Sequence, residues 1–308
     1  MSTVFLFGAG ASNGSLDCTP FRPPVGNGHD GLFAKLRAQG GVAAGVDGDL
    51  AAVFERNFEE GMAQFQISNP ADLVRFQRHM ARYFAQFEPG PNNLYRKLVR
   101  RLAATRTRFT LSTLNYDLLL ELAVNAEGHG VGYPGIEYSP GSVPIFKLHG
   151  SCNFWPDIPP QMIQNIDFVL GPGHTAIEGP KLKAVSAAEV ITLCQRENSI
   201  APAITLYAKG KRVLICSHSF ESHPRYWYGP LGKATSVYVI GVAVNPEDHH
   251  IWDPLATCNA ELFYVAPAPA GRDFLQWAEE HRKRKGAHHH FADSFEQALT
   301  ILSRKLKK

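Results

Sequence analysis

Three short segments of the chain combine residue types from which a site could be built. The first is Gly8-Ala9-Gly10-Ala11-Ser12, directly after the apolar run Thr3-Val4-Phe5-Leu6-Phe7. Glycines in such a place let the backbone turn sharply and bring main-chain amides close to a pyrophosphate. The spacing Gly8, Gly10, Gly14 departs from the G-x-G-x-x-G fingerprint, and no clear acidic residue ends a second strand about 20 residues on, as a dehydrogenase requires. A tight structural turn accounts for the loop equally well. The second segment is Thr113-Leu114-Asn115-Tyr116-Asp117, where the Asn115 amide can hold a ribose hydroxyl or a water. Asp117 is equally suited to cap a helix and Asn115 to form a turn. The third is Lys147-Leu148-His149-Gly150-Ser151, whose histidine can titrate near neutral pH and act as a base, or simply satisfy a local hydrogen bond.

Each segment follows a stretch that reads as a strand. Thr3–Phe7 is a short apolar run of the kind buried on both faces of a parallel sheet. Arg108–Ser112 and Ile145–Leu148 read as further strands, the latter entered through Pro144. Ligand-binding residues of open α/β sheets collect at such C-terminal strand ends. Later strands fit Arg212–Cys216, Ser236–Ile240 and Glu261–Val265, with helices at Pro224–Lys233 and Arg272–His281 between and after them. A last helix carries Phe295, Ala298, Leu299 and Leu302 at i, i+3, i+4, i+7, capped by Asp293 or Ser294.

Between the first two strands the pattern changes. Asn13–Asp30 is a Gly- and Pro-rich loop. From about Gly31 to Leu102 the apolar residues keep helical spacing, as in Leu73, Phe76, Met80, Tyr83 and Phe87, with Asn69-Pro70 as cap and first helical residue. No strand pattern interrupts this block. The expected fold is therefore α/β, a Rossmann-like, mostly parallel sheet with an inserted helical subdomain over residues 31–104. Residues 1–308 read as one domain, with residues 155–210 left unassigned.

Composition excludes several classes. Of 308 residues, 44% are hydrophobic and 19% charged, as in ordinary globular proteins. A formal charge of +3 gives no field that would suggest direct nucleic-acid binding. No stretch approaches the roughly 20 apolar residues of a membrane span. Met1–Phe7 lacks the charged start of a signal peptide, so a cytoplasmic location is expected. The five cysteines are scattered without a Cys-x-x-Cys pair, which excludes a cysteine zinc ribbon and argues against a disulfide framework. His288-His289-His290 and His249-His250 fit a solvated loop or strand better than a metal site, and no metal is expected.

In order and spacing the three segments resemble the sirtuin superfamily, and more closely its bacterial NAD-hydrolase branch. The resemblance continues at Val239-Ile240-Gly241, followed by Asn245, Asp248 and Ile251-Trp252-Asp253-Pro254. It implies that Gly8, Ala9, Gly10, Ala11 and Ser12 wrap NAD, with Asn115, Asp117 and Gly241 also at the cofactor. It further implies that Asn115 holds the nicotinamide ribose and that His149 acts there. Deacylating sirtuins carry two Cys-x-x-Cys pairs around zinc, which this chain lacks. The implied activity is therefore NAD+ glycohydrolysis, with NAD as substrate, rather than deacylation or ADP-ribosyl transfer. A non-catalytic module sensing NAD or ADP-ribose is the further alternative. The same resemblance implies an NAD-depleting antiviral role. Such an enzyme would be toxic if always on, so a resting form activated by self-assembly into a homo-oligomer or by a separately encoded activating or sensing partner is expected.

Overall fold

The N-terminal apolar run is buried on both faces because it lies in the middle of a sheet. Phe5 and Phe7 face one side and Val4 and Leu6 the other, each at most 1% exposed. The computed structural model describes residues 2–105, 108–158, 181–196, 200–205, 216–245, 247–282 and 286–305. Their strands, in chain order, are β1 (Ser2–Phe7), β2 (Cys18–Thr19), β3 (Glu88–Pro89), β4 (Arg108–Thr113), β5 (Val131–Gly132), β6 (Val143–Lys147), β7 (Phe154–Pro156), β8 (Leu182–Ala184), β9 (Ser236–Ile240), β10 (Glu261–Val265) and β11 (His288–Ala292).

Seven of them form an all-parallel sheet in the order β11-β10-β9-β1-β4-β6-β5. From β1 the chain adds β4, passes to the edge strand β5, comes back to β6 between them, and then crosses to the other side of β1 with β9. β1 is thus the strand at which the winding reverses, the arrangement of a Rossmann-like α/β fold. Phe7 lies level with Thr113 of β4 and Ile240 of β9, and Thr113 with Lys147 of β6. Four neighbouring strands therefore end at one height, and the loops after them share one edge.

The inserted block is helical as expected. Its helices are Leu32–Ala38, Gly41–Ala44, Gly48–Arg56, Phe58–Ser68, Leu73–Phe84 and Leu94–Ala103. Pro70 opens a separate 3₁₀ turn, Pro70–Asp72, and the α-helix starts only at Leu73, three residues later than the Asn69-Pro70 signal suggests. Phe33, Phe65 and Phe76 surround Phe54, with the Phe33 ring 4.4 Å and the Phe76 ring 5.6 Å from it, both stacked. This nucleus runs into the sheet without a break, since the same buried cluster includes Phe5, Phe7, Tyr238 and Phe263. The block is interrupted once, by β3, which pairs antiparallel with β2. A two-residue strand has no periodicity to read, and β5 is hidden for the same reason.

On the opposite face of the sheet, Trp227, Trp252, Phe274 and Trp277 cover Val4, Leu6, Val237, Val239 and Leu262. The expected helices are present as Ser217–Gly232, Ala268–His281 and Phe295–Lys305. Ser294 caps the last of these, its hydroxyl accepting from the Gln297 N–H. The strand expected at Arg212–Cys216 falls outside the described residues except for Cys216, which precedes the helix Ser217–Gly232. His288–Ala292, rich in histidine, is an edge strand.

His223 fastens the helix Ser217–Gly232 to β6. Its Nε2 accepts from the Lys147 N–H (2.9 Å) and its Nδ1 donates to the Pro134 carbonyl (2.6 Å). One ring nitrogen must accept and the other donate, so the imidazole is neutral. Burial among Phe146, Phe154 and Phe220 pushes its pKa down to about 4. Below about pH 6.5 the unfolded chain takes up a proton that the fold refuses, so stability falls as pH drops towards 4. Between pH 6.5 and 5.0 this group should remove about 2 kcal/mol. Urea unfolding at both pH values checks this, because His223→Asn should lose that component of the pH dependence. An equal pH dependence in wild type and variant would contradict the assignment.

Candidate active site

The loops after β9, β1, β4 and β6 meet at the C-terminal edge of the sheet. Gly8 ends β1 and starts the single-turn helix Ala9–Asn13. Its N–H donates to the Ile240 carbonyl, and the Gly10 N–H donates to the Gly241 carbonyl (3.0 Å). The two loops touch backbone to backbone. A Cβ on Gly8 would stand 2.5 Å from the Gly241 carbonyl oxygen, and one on Gly241 would stand 2.1 Å from the Ala11 nitrogen. Gly241 also has φ +63°, in the left-handed region. These glycines are thus required by loop-to-loop contact, while Ala9 and Gly10 stay exposed at the crest.

Asn115 binds this pair of loops to the end of β4. Its Nδ2 donates to the Gly8 carbonyl (2.9 Å) and to Ser12 Oγ (2.8 Å). A carbonyl can only accept, so the amide orientation is fixed and Oδ1 is the side chain's remaining polar atom. Ser12 Oγ also bonds Tyr95 Oη (3.1 Å), whose ring packs edge-on against Phe7. The Ser12 hydroxyl is 1% exposed and engaged inside the fold. Tyr95 stands on the helix Leu94–Ala103, so the inserted subdomain reaches the site directly. Asn93 caps that helix and, through Nδ2, holds Ser15 Oγ and the Leu16 carbonyl, which orders the start of the 13–30 loop.

Beneath Asn115 lies a buried charged layer. Asp117 Oδ1 accepts from the Leu119 N–H at the start of the helix Leu119–Ala126. Lys147, fully buried at the end of β6, bonds Glu121 Oε1 (2.9 Å) and the Asp117 carbonyl (2.6 Å). Burial raises the pKa of both Asp117 and Glu121, and Lys147 offsets only part of that rise. The ammonium therefore ties β6 to the helix after β4 and holds their ends side by side.

Two residues beyond Lys147, His149 lies at the same edge, 5% exposed. Its carbonyl accepts from Thr205 N (2.9 Å) and Thr205 Oγ1 (2.7 Å). Gly150 follows at φ +80°, pressed against the Ala203 carbonyl. The segment 200–205, unassigned from sequence, thus fixes the turn that presents the histidine. His149 Nε2 is 4.0 Å from Asp248 Oδ2, and the His250 ring centre is 5.1 Å away. Asp248 is itself 5% exposed and precedes the helix His249–Thr257.

All the residues singled out from sequence gather here: Gly8 to Ser12, Asn115, Asp117, His149 and Gly241. Tyr95, Glu121, Asp248 and His250 complete the site and were not singled out as site residues. Asp248 and His250 stand about a hundred positions from His149, and no local pattern signals that the fold brings them together. Chemically, the edge offers an exposed, side-chain-poor crest at Ala9 and Gly10, an oriented amide and a sheltered imidazole beside a carboxylate. Comparison of the chain with protein-family models and with curated proteins finds no match.

The interlock predicts a graded glycine effect. Gly241→Ala should lose about 2–4 kcal/mol, combining left-handed strain with overpacking against Ala11. Gly128→Ala, at φ +83° with nothing within 4 Å, should lose only about 1 kcal/mol. Equal losses in urea unfolding would show that contact between the loops contributes nothing.

Proposed function

We propose that the chain is a sirtuin-like NAD+ glycohydrolase, cleaving NAD+ to nicotinamide and ADP-ribose. The observation that carries this reading is the meeting of Asn115, His149 and the Gly8–Ser12 loop on adjacent strand ends of a parallel sheet. Nicotinamide leaves the ribose as a neutral amide, so no general acid is needed. The barrier lies in forming an oxocarbenium-like ribosyl centre and delivering water to it. Asn115, held by Gly8 and Ser12, orients the nicotinamide ribose and the attacking water through Oδ1. His149 accepts a proton from the water or a ribose hydroxyl, and the nearby Asp248 carboxylate stabilises the imidazolium. The exposed residues Ala9 and Gly10 meet the phosphates, with Gly10 offering close approach rather than its N–H, which already bonds Gly241. Asp117 holds the loop bearing Asn115 through the Leu119 N–H.

Deacylation is disfavoured because the scattered cysteines cannot supply the zinc module that forms an acyl-lysine groove. Unregulated cleavage would drain the cell of NAD, so the proposed enzyme rests inactive and is switched on by assembly or by a separately encoded partner. An NAD-depleting antiviral effector fits that logic.

Nicotinamide release followed by chromatography, with NAD+ binding by calorimetry, tests the assignment. Wild type should bind NAD+ at rest and release nicotinamide once assembled or switched on, and Asn115→Ala and His149→Ala should each lower that release by about 100-fold or more. Full release by both folded variants would contradict the proposed roles. No binding of NAD+ by wild type would contradict the function itself.

A further inference from the structure

We infer that His149, Asp248 and His250 form a binding site for a divalent transition-metal ion of the zinc type. Each offers one ligand atom, and the three atoms lie within 4.8 Å of one another. Tetrahedral ligands about 2.0–2.1 Å from zinc are separated by about 3.3 Å, so closure shortens these separations by at most about 1.5 Å. The backbone around the cluster is already held. Thr205 bonds the His149 carbonyl, and the Asp248 carbonyl accepts from the Ile251 and Trp252 N–H groups (2.8 and 2.9 Å). His250 lies in the first turn of the helix His249–Thr257, half-buried, with its ring centre 5.1 Å from that of His149.

The donor set selects the ion. Two imidazoles and one carboxylate suit zinc and other first-row divalent ions, and calcium or magnesium poorly, since those prefer all-oxygen shells. Three protein ligands leave a fourth position for water or an anionic group, as in an open rather than a structural zinc site. The cluster contains no cysteine, unlike the zinc module of deacylating sirtuins, which this chain lacks. Where the proposed hydrolase reading holds, an ion here occupies the His149 lone pair and suppresses nicotinamide release. Binding of the ion does not depend on that reading.

Chelator-treated protein titrated with zinc chloride in a calorimeter, without NAD+, tests the site. Wild type should take up one zinc ion per chain. Asp248→Asn and His250→Gln should each weaken binding tenfold or more, while the His249→Ala/His289→Ala double variant, which alters exposed histidines only, should bind as wild type does. Thermal melts establish which variants are folded, and His250→Gln decides the matter if Asp248→Asn does not fold. No uptake by wild type, undiminished uptake by folded His250→Gln, or loss of uptake in the double variant would each overturn the site. Zinc binding in a protein that neither binds nor cleaves NAD+ would support the metal site while contradicting the proposed hydrolase.

Discussion

The edge of the sheet is organised by a contact that no side chain makes. Gly8 and Gly10 after β1 press directly on Gly241 after β9, at distances that leave no room for a Cβ on Gly8 or Gly241 and little for one on Gly10. Two parallel strands feed loops that would otherwise diverge, and the main-chain bond from Gly10 to Gly241 joins them at the point where the winding of the sheet reverses. Everything else at the site is referenced to this junction. Asn115 bonds Gly8 from the next strand, Ser12 relays that bond to Tyr95, and Tyr95 brings in the helical subdomain. A shift in the junction would therefore move the amide proposed to hold the ribose.

A second constraint acts on β6. Its last residue, Lys147, is fully buried, bonded to the Glu121 carboxylate and the Asp117 main-chain carbonyl, and burial raises the pKa of both acidic side chains. Removing one partner of such a group is far more damaging than replacing the whole set with apolar residues. The geometry explains why the arrangement persists: Lys147 is held by Glu121 on one side and, through its N–H, by neutral His223 on the other. The strand end carrying His149 is thereby clamped from both layers of helices. Apolar packing on the two faces of the sheet supplies the bulk of the stability, and these polar ties fix where the strand ends stand.

Much of this was legible in the sequence. The strands β1, β4, β6, β9 and β10 are short apolar runs bounded by turn residues, and burial on both faces leaves that signature. The helical block showed itself through stripes such as Leu73, Phe76, Met80 and Tyr83. Pairings of two residues, such as β2 with β3, leave no period to detect, and β11 is masked by three histidines on an edge where polarity is tolerated. At the site, Gly8 to Ser12, Asn115 and His149 stood out because each follows a recognisable strand. The glycines suggested space for a ligand's phosphates, whereas much of that space is taken by Gly241. Tyr95 reads as one more apolar helical residue, and Asp248 and His250 as part of a polar loop. Their roles come from tertiary proximity alone, which spacing along the chain does not encode.

The central claim is that this edge holds the nicotinamide ribose of NAD+ between Asn115 and His149. A crystal structure of the His149→Ala variant with NAD+ tests it most directly, because the substrate should remain intact. The account predicts the nicotinamide ribose within hydrogen-bonding distance of Asn115 Oδ1, with the pyrophosphate against Ala9 and Gly10. A dinucleotide seated elsewhere on the molecule, or turned so that its adenosine end meets Asn115, would contradict it.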